Sequence, residues 1–308
     1  MTMNRRTFLA WASVAGAGAV AAGARLAGAA PTRPGADDTP SMLVDTTKCR
    51  GCRGCEAACS EVNRLPEPEQ AGRKTAFDTF RETSTRAFTV VNRFPGKKAG
   101  APPVYVKRQC MHCVEPACAS ACLARALTKT PDGPVVYNQK VCIGCRYCMV
   151  ACPFAIPKFE YEKALPYVKK CSFCLERQRQ GKQPACATVC PSGALTFGKR
   201  KDMLELARTR IYQSPDKYIH YVYGEHEAGG TGWLYISSVE FAGLSFKPVR
   251  TSSYAELTSG ALGAVPIILT VGPPLLMGLY AATRVRARAN EVATNEHDTG
   301  SSKEDGHE

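Results

Sequence analysis

Apolar positions along this chain fall into three patterns. An uncharged stretch of 18 residues from Thr7 to Ala24 is mostly Ala and Gly, which is weakly apolar for a membrane-crossing helix. Between residues 41 and 200 the apolar positions come in short runs instead: Leu43-Val44, Val104-Tyr105-Val106, Val135-Val136-Tyr137 and Tyr167-Val168, each followed by clustered cysteines. Recurrence of this kind marks an internal repeat. The third pattern is Leu257 to Thr283, 27 residues without a charge that include Val265, Ile267, Ile268, Leu269, Leu275, Leu276, Leu279 and Tyr280. At about 1.5 Å per residue such a run can cross a hydrocarbon core about 30 Å thick, so it predicts a membrane-spanning helix. Pro266, Pro273 and Pro274 argue against a straight isolated helix, but they are tolerated in spans packed against neighbours. A buried helix of a soluble protein is the alternative.

The remaining segments carry weaker signals. Residues 30–40 are Pro-rich and read as a linker. Glu61 to Gly100 contains no cysteine and reads as an insertion (61–100) holding one strand, Phe88 to Val91. Asp202 to Arg210 predicts a short amphipathic helix with Met203, Leu204, Leu206 and Ala207 inward. Trp233 to Val239 predicts a strand after the turn Gly229-Gly230-Thr231-Gly232. Together residues 201–252 form an extension that either caps the cysteine-rich domain or docks it to a partner.

The two ends of the chain suggest where it works. Asn4-Arg5-Arg6-Thr7-Phe8-Leu9, the weak apolar stretch and a small-residue site at Ala27-Gly28-Ala29 together resemble a twin-arginine signal peptide over residues 1–29. Arg284, Arg286 and Arg288 directly follow the apolar run, whereas its upstream flank sets Lys247 and Arg250 against Glu240 and Glu256. The positive-inside bias then puts residues 284–308 in the cytoplasm as a tail, read as disordered beyond Arg288, and the cysteine-rich domain on the periplasmic face of the inner membrane.

All 16 cysteines of the 308 residues lie between Cys49 and Cys190. They form four groups: Cys49, Cys52, Cys55 and Cys59; Cys110, Cys113, Cys118 and Cys122; Cys142, Cys145, Cys148 and Cys152; Cys171, Cys174, Cys186 and Cys190. The first and third have the C-x2-C-x2-C-x3-C spacing of bacterial ferredoxins, with Pro153 closing the third. Three closely spaced thiolates on a tight loop can reach three corners of an iron cube, and the fourth leaves at the start of a helix to serve another cluster. Gly51, Gly54 and Gly144 suit loops that need positive φ. Zinc ribbons use two separated pairs instead of such triplets, and closely spaced triplets are poor at making non-local disulfides. Export of an already folded protein also keeps these thiols from an oxidising compartment until their clusters are in place.

The charge balance fits the same chemistry. A formal charge of +13 ordinarily suggests nucleic acid or an anionic surface. Four clusters at about two negative charges each contribute roughly −8, and loss of Arg5, Arg6 and Arg25 with the signal removes three positive charges. The remainder is close to neutral, and no nucleic-acid partner is expected.

Cys110-Met-His-Cys113, the run Cys142 to Phe154, and Gly224-Glu225-His226-Glu227-Ala-Gly229-Gly230-Thr231 resemble the four-cluster electron-transfer subunits of molybdopterin oxidoreductases and, in particular, the membrane-anchored iron-sulfur subunit of hydrogenase-2 type respiratory hydrogenases. The resemblance implies an α+β fold: duplicated bacterial ferredoxin-like (βαβ-type) iron-sulfur domains over 41–200 with an insertion, plus one C-terminal transmembrane helix over 257–283. It implies four 4Fe-4S clusters, held by Cys49, Cys52, Cys55 and Cys190; by Cys171, Cys174, Cys186 and Cys59; by Cys110, Cys113, Cys118 and Cys152; and by Cys142, Cys145, Cys148 and Cys122. Leu123 stands where a proline is frequent, a departure at a site that is no ligand. The implied role is a non-catalytic relay between a periplasmic catalytic subunit and a quinone-reactive integral membrane subunit. A nickel-iron hydrogenase is the first choice of catalytic partner, and a formate dehydrogenase or another molybdopterin enzyme the alternative.

Other residues invite chemistry less strongly. His112 lies between two cysteines whose neighbours already fill the iron corners, so it reads as a supporting or surface residue. His220, and His226 with Glu225 and Glu227, could form a metal site or proton path, but their Gly-rich setting favours a turn at a subunit interface. Lys107, Arg108, Arg146, Lys169 and Lys170 sit beside cysteines, either raising cluster potentials or forming solvated surface. No nucleotide loop, flavin fingerprint or nucleophile-base arrangement is present to support an autonomous enzyme.

Overall fold

The computed structural model describes residues 36–68 and 74–301. The signal over 1–29, most of the linker and the last seven residues lie outside the described residues. The chain divides into two units, residues 29–259 and a second that contains 260–308.

The first unit is organised around a three-stranded sheet. Its middle strand, β1 (Pro40–Asp45), is antiparallel to β8 (Leu195–Lys199) and parallel to β9 (Trp233–Ile236). Side chains alternate across a strand, so the two faces can bury different partners. Met42, Val44, Trp233 and Tyr235 face a core shared with Val104, Val106, Met111 and Phe173. Leu43, Leu234 and Ile236 face the other way, onto Met203, Leu204 and Ala207 of helix α6 (Arg200–Gln213). A sheet buried on both faces explains why these strands are almost continuously apolar. The docked helix is held at its far end by Asp45, whose carboxylate accepts from Arg210 Nη1 at 3.1 Å and Tyr218 Oη at 2.9 Å.

Three hairpins complete the strands. They pair β2 (Val90–Phe94) with β3 (Val104–Arg108), β4 (Leu127–Lys129) with β5 (Val135–Tyr137), and β6 (Lys158–Phe159) with β7 (Val168–Lys169). The short apolar runs of the repeat are therefore β1, β3, β5 and β7, each a few residues before a cysteine loop. Between them lie α1 (Gly54–Asn63), α2 (Ala117–Ser120), α3 (Tyr147–Ala151), α4 (Leu175–Arg179) and α5 (Ala185–Thr188).

Several boundaries differ from the sequence expectation. Glu61 to Asn63 belong to α1 and not to an inserted segment. The strand expected at Phe88 to Val91 lies at 90–94, because Asn92 buries its side chain by bonding the backbone of Arg81. The strand expected to reach Val239 ends at Ile236, where Ser237 Oγ accepts the Val239 N–H at 3.1 Å and turns the chain. Residues 201–252 supply β9 and α6, so this stretch is part of the central sheet and its packing.

Helix α7 (Glu256–Ser301) is described by itself. Over Glu256–Ala289 it is long and apolar enough to cross a membrane, and an 18-residue stretch of it has a mean hydropathy of 1.9. The helix continues past Arg288 to Ser301, where a disordered tail was expected. Residues 284–299 contain no Gly or Pro to stop it.

Candidate metal centres

The four cysteine loops share one backbone device. The residue before the second cysteine of each loop has positive φ: Gly51 (69°), His112 (47°), Gly144 (71°) and Phe173 (57°). This turns the loop so that successive thiols point to one side. At Gly51 the need for glycine is double, since a Cβ there would come within 2.5 Å of the Tyr105 ring. Arg53 and Arg146 take the same position after the second cysteine, both at φ 59°, and start α1 and α3. Those helices then carry Cys55 and Cys59, and Cys148, away from the loop.

The sulfurs lie near enough to one another for their charges to interact. Burial pushes the thiols of Cys49, Cys55, Cys59, Cys113, Cys118, Cys148, Cys152, Cys171 and Cys174 above the ordinary thiol range, and the charge of nearby sulfurs adds to that push. Cys49 is next to Cys52 and Cys190, and Cys55 next to Cys49. Cys59, pushed up to about 12, lies beside Cys174 and Cys186, and Cys171 beside Cys59 and Cys174. These last four line one cavity together with Lys107, Phe173 and Trp233. Cys113 is surrounded by Cys152, Cys110 and Cys118. Cys148, pushed up to about 11, is next to Cys122, Cys145 and Cys142. Charge interactions also link these groups in series: Cys55 with Cys186, Cys171 with Cys110, and Cys118 with Cys148.

The donor set suits polynuclear iron. All sixteen cysteines are unbridged thiols. A mononuclear ion draws its sulfurs to about 2.3 Å from one point, and among the described residues no three His, Cys, Asp or Glu side chains converge on a single ion. Cys59, Cys171, Cys174 and Cys186 line a space instead. A buried thiol resists ionising in apolar surroundings, and it gives up its proton when a cation coordinates it. Donors to sulfur are already in place: Phe173 N–H to Cys171 Sγ at 3.3 Å, Ala126 N–H to Cys122 Sγ at 3.2 Å, and Asn63 Nδ2 to Cys59 Sγ at 3.5 Å. Such donors stabilise the negative charge of a bound cluster.

His112 is buried, not a surface residue. Its Nδ1 accepts the Val135 N–H at 3.0 Å, its ring stacks on Phe173, and its Nε2 has no partner. Burial, then the charges of Lys170, Lys129 and Lys107, pull its pKa well below the ordinary value, so it is a neutral imidazole. Sequence reasoning missed this stack. Its signal was Cys-Met-His-Cys and Cys-Ser-Phe-Cys, where a ring stands in the position that the other two loops give to glycine.

The cations beside the cysteines divide into two kinds. Lys107 and Lys170 are buried, whereas Arg108, Arg146 and Lys169 reach solvent. Lys170 Nζ donates to Val135 O at 2.5 Å and Cys171 O at 2.9 Å. The Gly224 to Gly230 segment is a turn with positive φ at Gly224, Ala228, Gly229 and Gly230. Glu227 is buried inside it, accepting from Gly224 N at 2.6 Å and from the Tyr221 hydroxyl. His226 lies 3.6 Å from Glu225, which is paired to Arg208, and His220 does not join them.

Comparison with known proteins agrees with this chemistry. The family model of the 4Fe-4S dicluster domain matches residues 103–200. A protein of Nitratidesulfovibrio vulgaris is 48% identical over 300 residues, covering 96% of this chain and 80% of the relative. The hydrogenase-2 operon protein HybA of Shigella flexneri is 33% identical over 345 residues, covering 98% of this chain and 100% of the relative. The iron-sulfur subunit of the nitrate-inducible formate dehydrogenase of Escherichia coli is 36% identical over 200 residues, 64% of this chain and 67% of the relative.

Proposed function

The chain belongs to the family of the hydrogenase-2 operon protein HybA, iron-sulfur electron-transfer subunits with 4Fe-4S clusters, and on that premise we propose that it is a four-cluster relay between a catalytic subunit and the membrane. The ligand sets we propose are Cys49, Cys52, Cys55 and Cys190; Cys59, Cys171, Cys174 and Cys186; Cys110, Cys113, Cys118 and Cys152; and Cys122, Cys142, Cys145 and Cys148. Clusters bound there supply one-electron carriers. The protein's part is to hold them in order, keep water from them and set the charge around them.

One observation carries this reading: thiols of the four proposed sets lie near enough to act on one another's charge in series, through Cys55 and Cys186, Cys171 and Cys110, and Cys118 and Cys148. A linear series has two ends, as a relay between two partners requires. The full-length similarity to HybA supports a nickel-iron hydrogenase as the catalytic partner. A formate dehydrogenase is the second reading, supported by relatives that match about two thirds of the chain. The apolar segment of α7 and the Arg284, Arg286 and Arg288 cluster support a single pass with its C-terminus in the cytoplasm, and the membrane partner of this proposal is a quinone-reactive subunit.

Anaerobic purification from membranes, with iron and sulfide analysis and mass spectrometry of co-purifying subunits, tests the proposal. About 16 iron and 16 sulfide per chain with a hydrogenase attached is the expected result. A molybdenum subunit in its place keeps the relay and changes the partner, while a chain without iron overturns it.

A further inference from the structure

Lys107 is a cation in an unusual place. It is 3% exposed, on β3, and lines the same cavity as Cys59, Cys171, Cys174 and Cys186. Its ammonium has three donors. One goes to Gln109 Oε1 at 2.9 Å, and the group lies 4.4 Å from the centre of the Trp233 ring. No Asp or Glu among the described residues pairs with it. The other buried lysine, Lys170, is bonded to two backbone carbonyls.

A lone ammonium moved from water into a protein interior sheds its proton unless negative charge is near. The negative charge available here is sulfur: Cys59, Cys171, Cys174 and Cys186 line the same cavity as the Lys107 side chain. Its position is fixed by a closed ring of contacts. Gln109 Nε2 donates to Tyr235 Oη at 2.6 Å, and Tyr235 Oη donates to Lys107 O at 3.0 Å. Gln109 and Tyr235 are both buried. The side chain therefore cannot swing out to water without breaking the core.

We propose that Lys107 is a positioning residue for electron transfer: a fixed positive charge that raises the reduction potential of the cluster held by Cys59, Cys171, Cys174 and Cys186 above the value its thiolates alone would give. Reduction adds one electron, taken from the neighbouring cluster, which is oxidised by one; no bond forms and no proton moves. The cluster passes from about −2 to about −3 in total charge. A nearby cation stabilises the more negative form more, by Coulomb's law, and the effect is strong where solvent does not screen it. The cluster of Cys49, Cys52, Cys55 and Cys190 feels the same charge at Cys55 and Cys49, but none of its four cysteines lines the cavity that holds Lys107, so its shift is smaller.

The inference rests on the relay reading, and the two can fail separately. The test is EPR-monitored redox titration of the anaerobic complex, with the signal of this cluster identified by its loss in Cys186→Ser. Lys107→Gln is expected to lower the potential of that cluster more than any other, with iron per chain unchanged, and Lys107→Arg to keep it. Unmoved potentials with full iron content would overturn the inference and leave the relay intact; absence of iron in the parent protein would overturn the relay. Should Lys107→Gln lose iron, Gln109→Leu decides, because it keeps the charge and removes its anchor. A smaller downward shift of the same signal supports the inference, and no shift refutes it.

Discussion

The imidazole of His112 lies on the ring of Phe173, with centroids 5.0 Å apart and planes inclined by 23°. Each ring sits between two cysteines of its own loop, so the stack joins the loop of Cys110 and Cys113 to that of Cys171 and Cys174. Phe173 also packs on Trp233 at 5.5 Å. Truncating such a ring in a packed core costs about 3–5 kcal/mol. Phe173→Ala is expected to release the two middle clusters, about eight of about 16 iron atoms, while Phe173→Leu retains most of them. Iron analysis of the purified variants checks this, and full retention in Phe173→Ala would remove the stack from any role in cluster binding.

The shared ligand sets predict a crossed pattern of loss. Cys59 follows the first loop in sequence but lies with Cys171, Cys174 and Cys186. Cys59→Ser should therefore change the same EPR signal as Cys186→Ser, and Cys190→Ser the same signal as Cys49→Ser. A Cys59→Ser phenotype matching Cys49→Ser would show that each loop closes its own cluster.

Glu56 ties the first loop to the segment before β2. Its carboxylate accepts from Arg53 at 2.7 Å, from Arg81 at 2.7 Å and from the Val91 N–H at 2.6 Å, and it is buried. Removing one member of a buried ion pair costs about 3–5 kcal/mol. Glu56→Ala should lower the denaturant midpoint by a corresponding amount, with Glu56→Gln in between, as read by anaerobic unfolding followed through cluster absorbance.

Acid sensitivity is expected at the β6–β7 hairpin. Burial raises the Glu160 carboxyl, but Lys163 at 2.6 Å, Lys169 at 3.8 Å and the Tyr167 N–H at 3.3 Å outweigh it and hold the group below 4.5. A carboxyl depressed by folding stabilises the fold above its unfolded-state pKa, and the contribution is lost as pH falls through the folded-state value. Hydrogen exchange of the hairpin amides should be faster in Glu160→Gln than in the parent above pH 4.5, and the two should converge below it. A difference independent of pH would assign Glu160 to packing alone.

Deleting residues 256–308 should move the protein from the membrane to the soluble fraction with its iron content unchanged. Retention in the membrane fraction would place the anchor elsewhere.

Much of this was legible from spacing. The cysteine groups, the helix near Asp202 to Arg210 and the long apolar run are local patterns, and local patterns survive in the fold. What escaped depended on tertiary contact. Asn92 interrupts an apolar run yet is buried in β2, because Arg81 supplies its partners. His112 and Phe173 hold backbone conformations that favour glycine, and the reason lies in each other's rings. Lys107 reads equally as a tuner of cluster potential or as solvated surface, and its burial beside Trp233, more than a hundred positions away, is what separates the two.

The central place of β1 also sets an order on biosynthesis. Ser41 Oγ bonds Gly232 O across 191 positions of sequence, so during synthesis from the N-terminus β1 and the Cys49 to Cys59 loop wait without their partners until Cys190 and then Trp233 leave the ribosome. Cys110 to Cys152 emerge as a complete set much earlier. With the ligand sets proposed above, the two clusters held between Cys110 and Cys152 can be loaded while the chain is still growing, and the other two only after Cys186 and Cys190 respectively appear. The sheet closes behind them when β9 arrives, and the apolar helix is made last. Chain growth thus sets the earliest moment at which each cluster can be loaded, and the apolar helix follows every cysteine out of the ribosome.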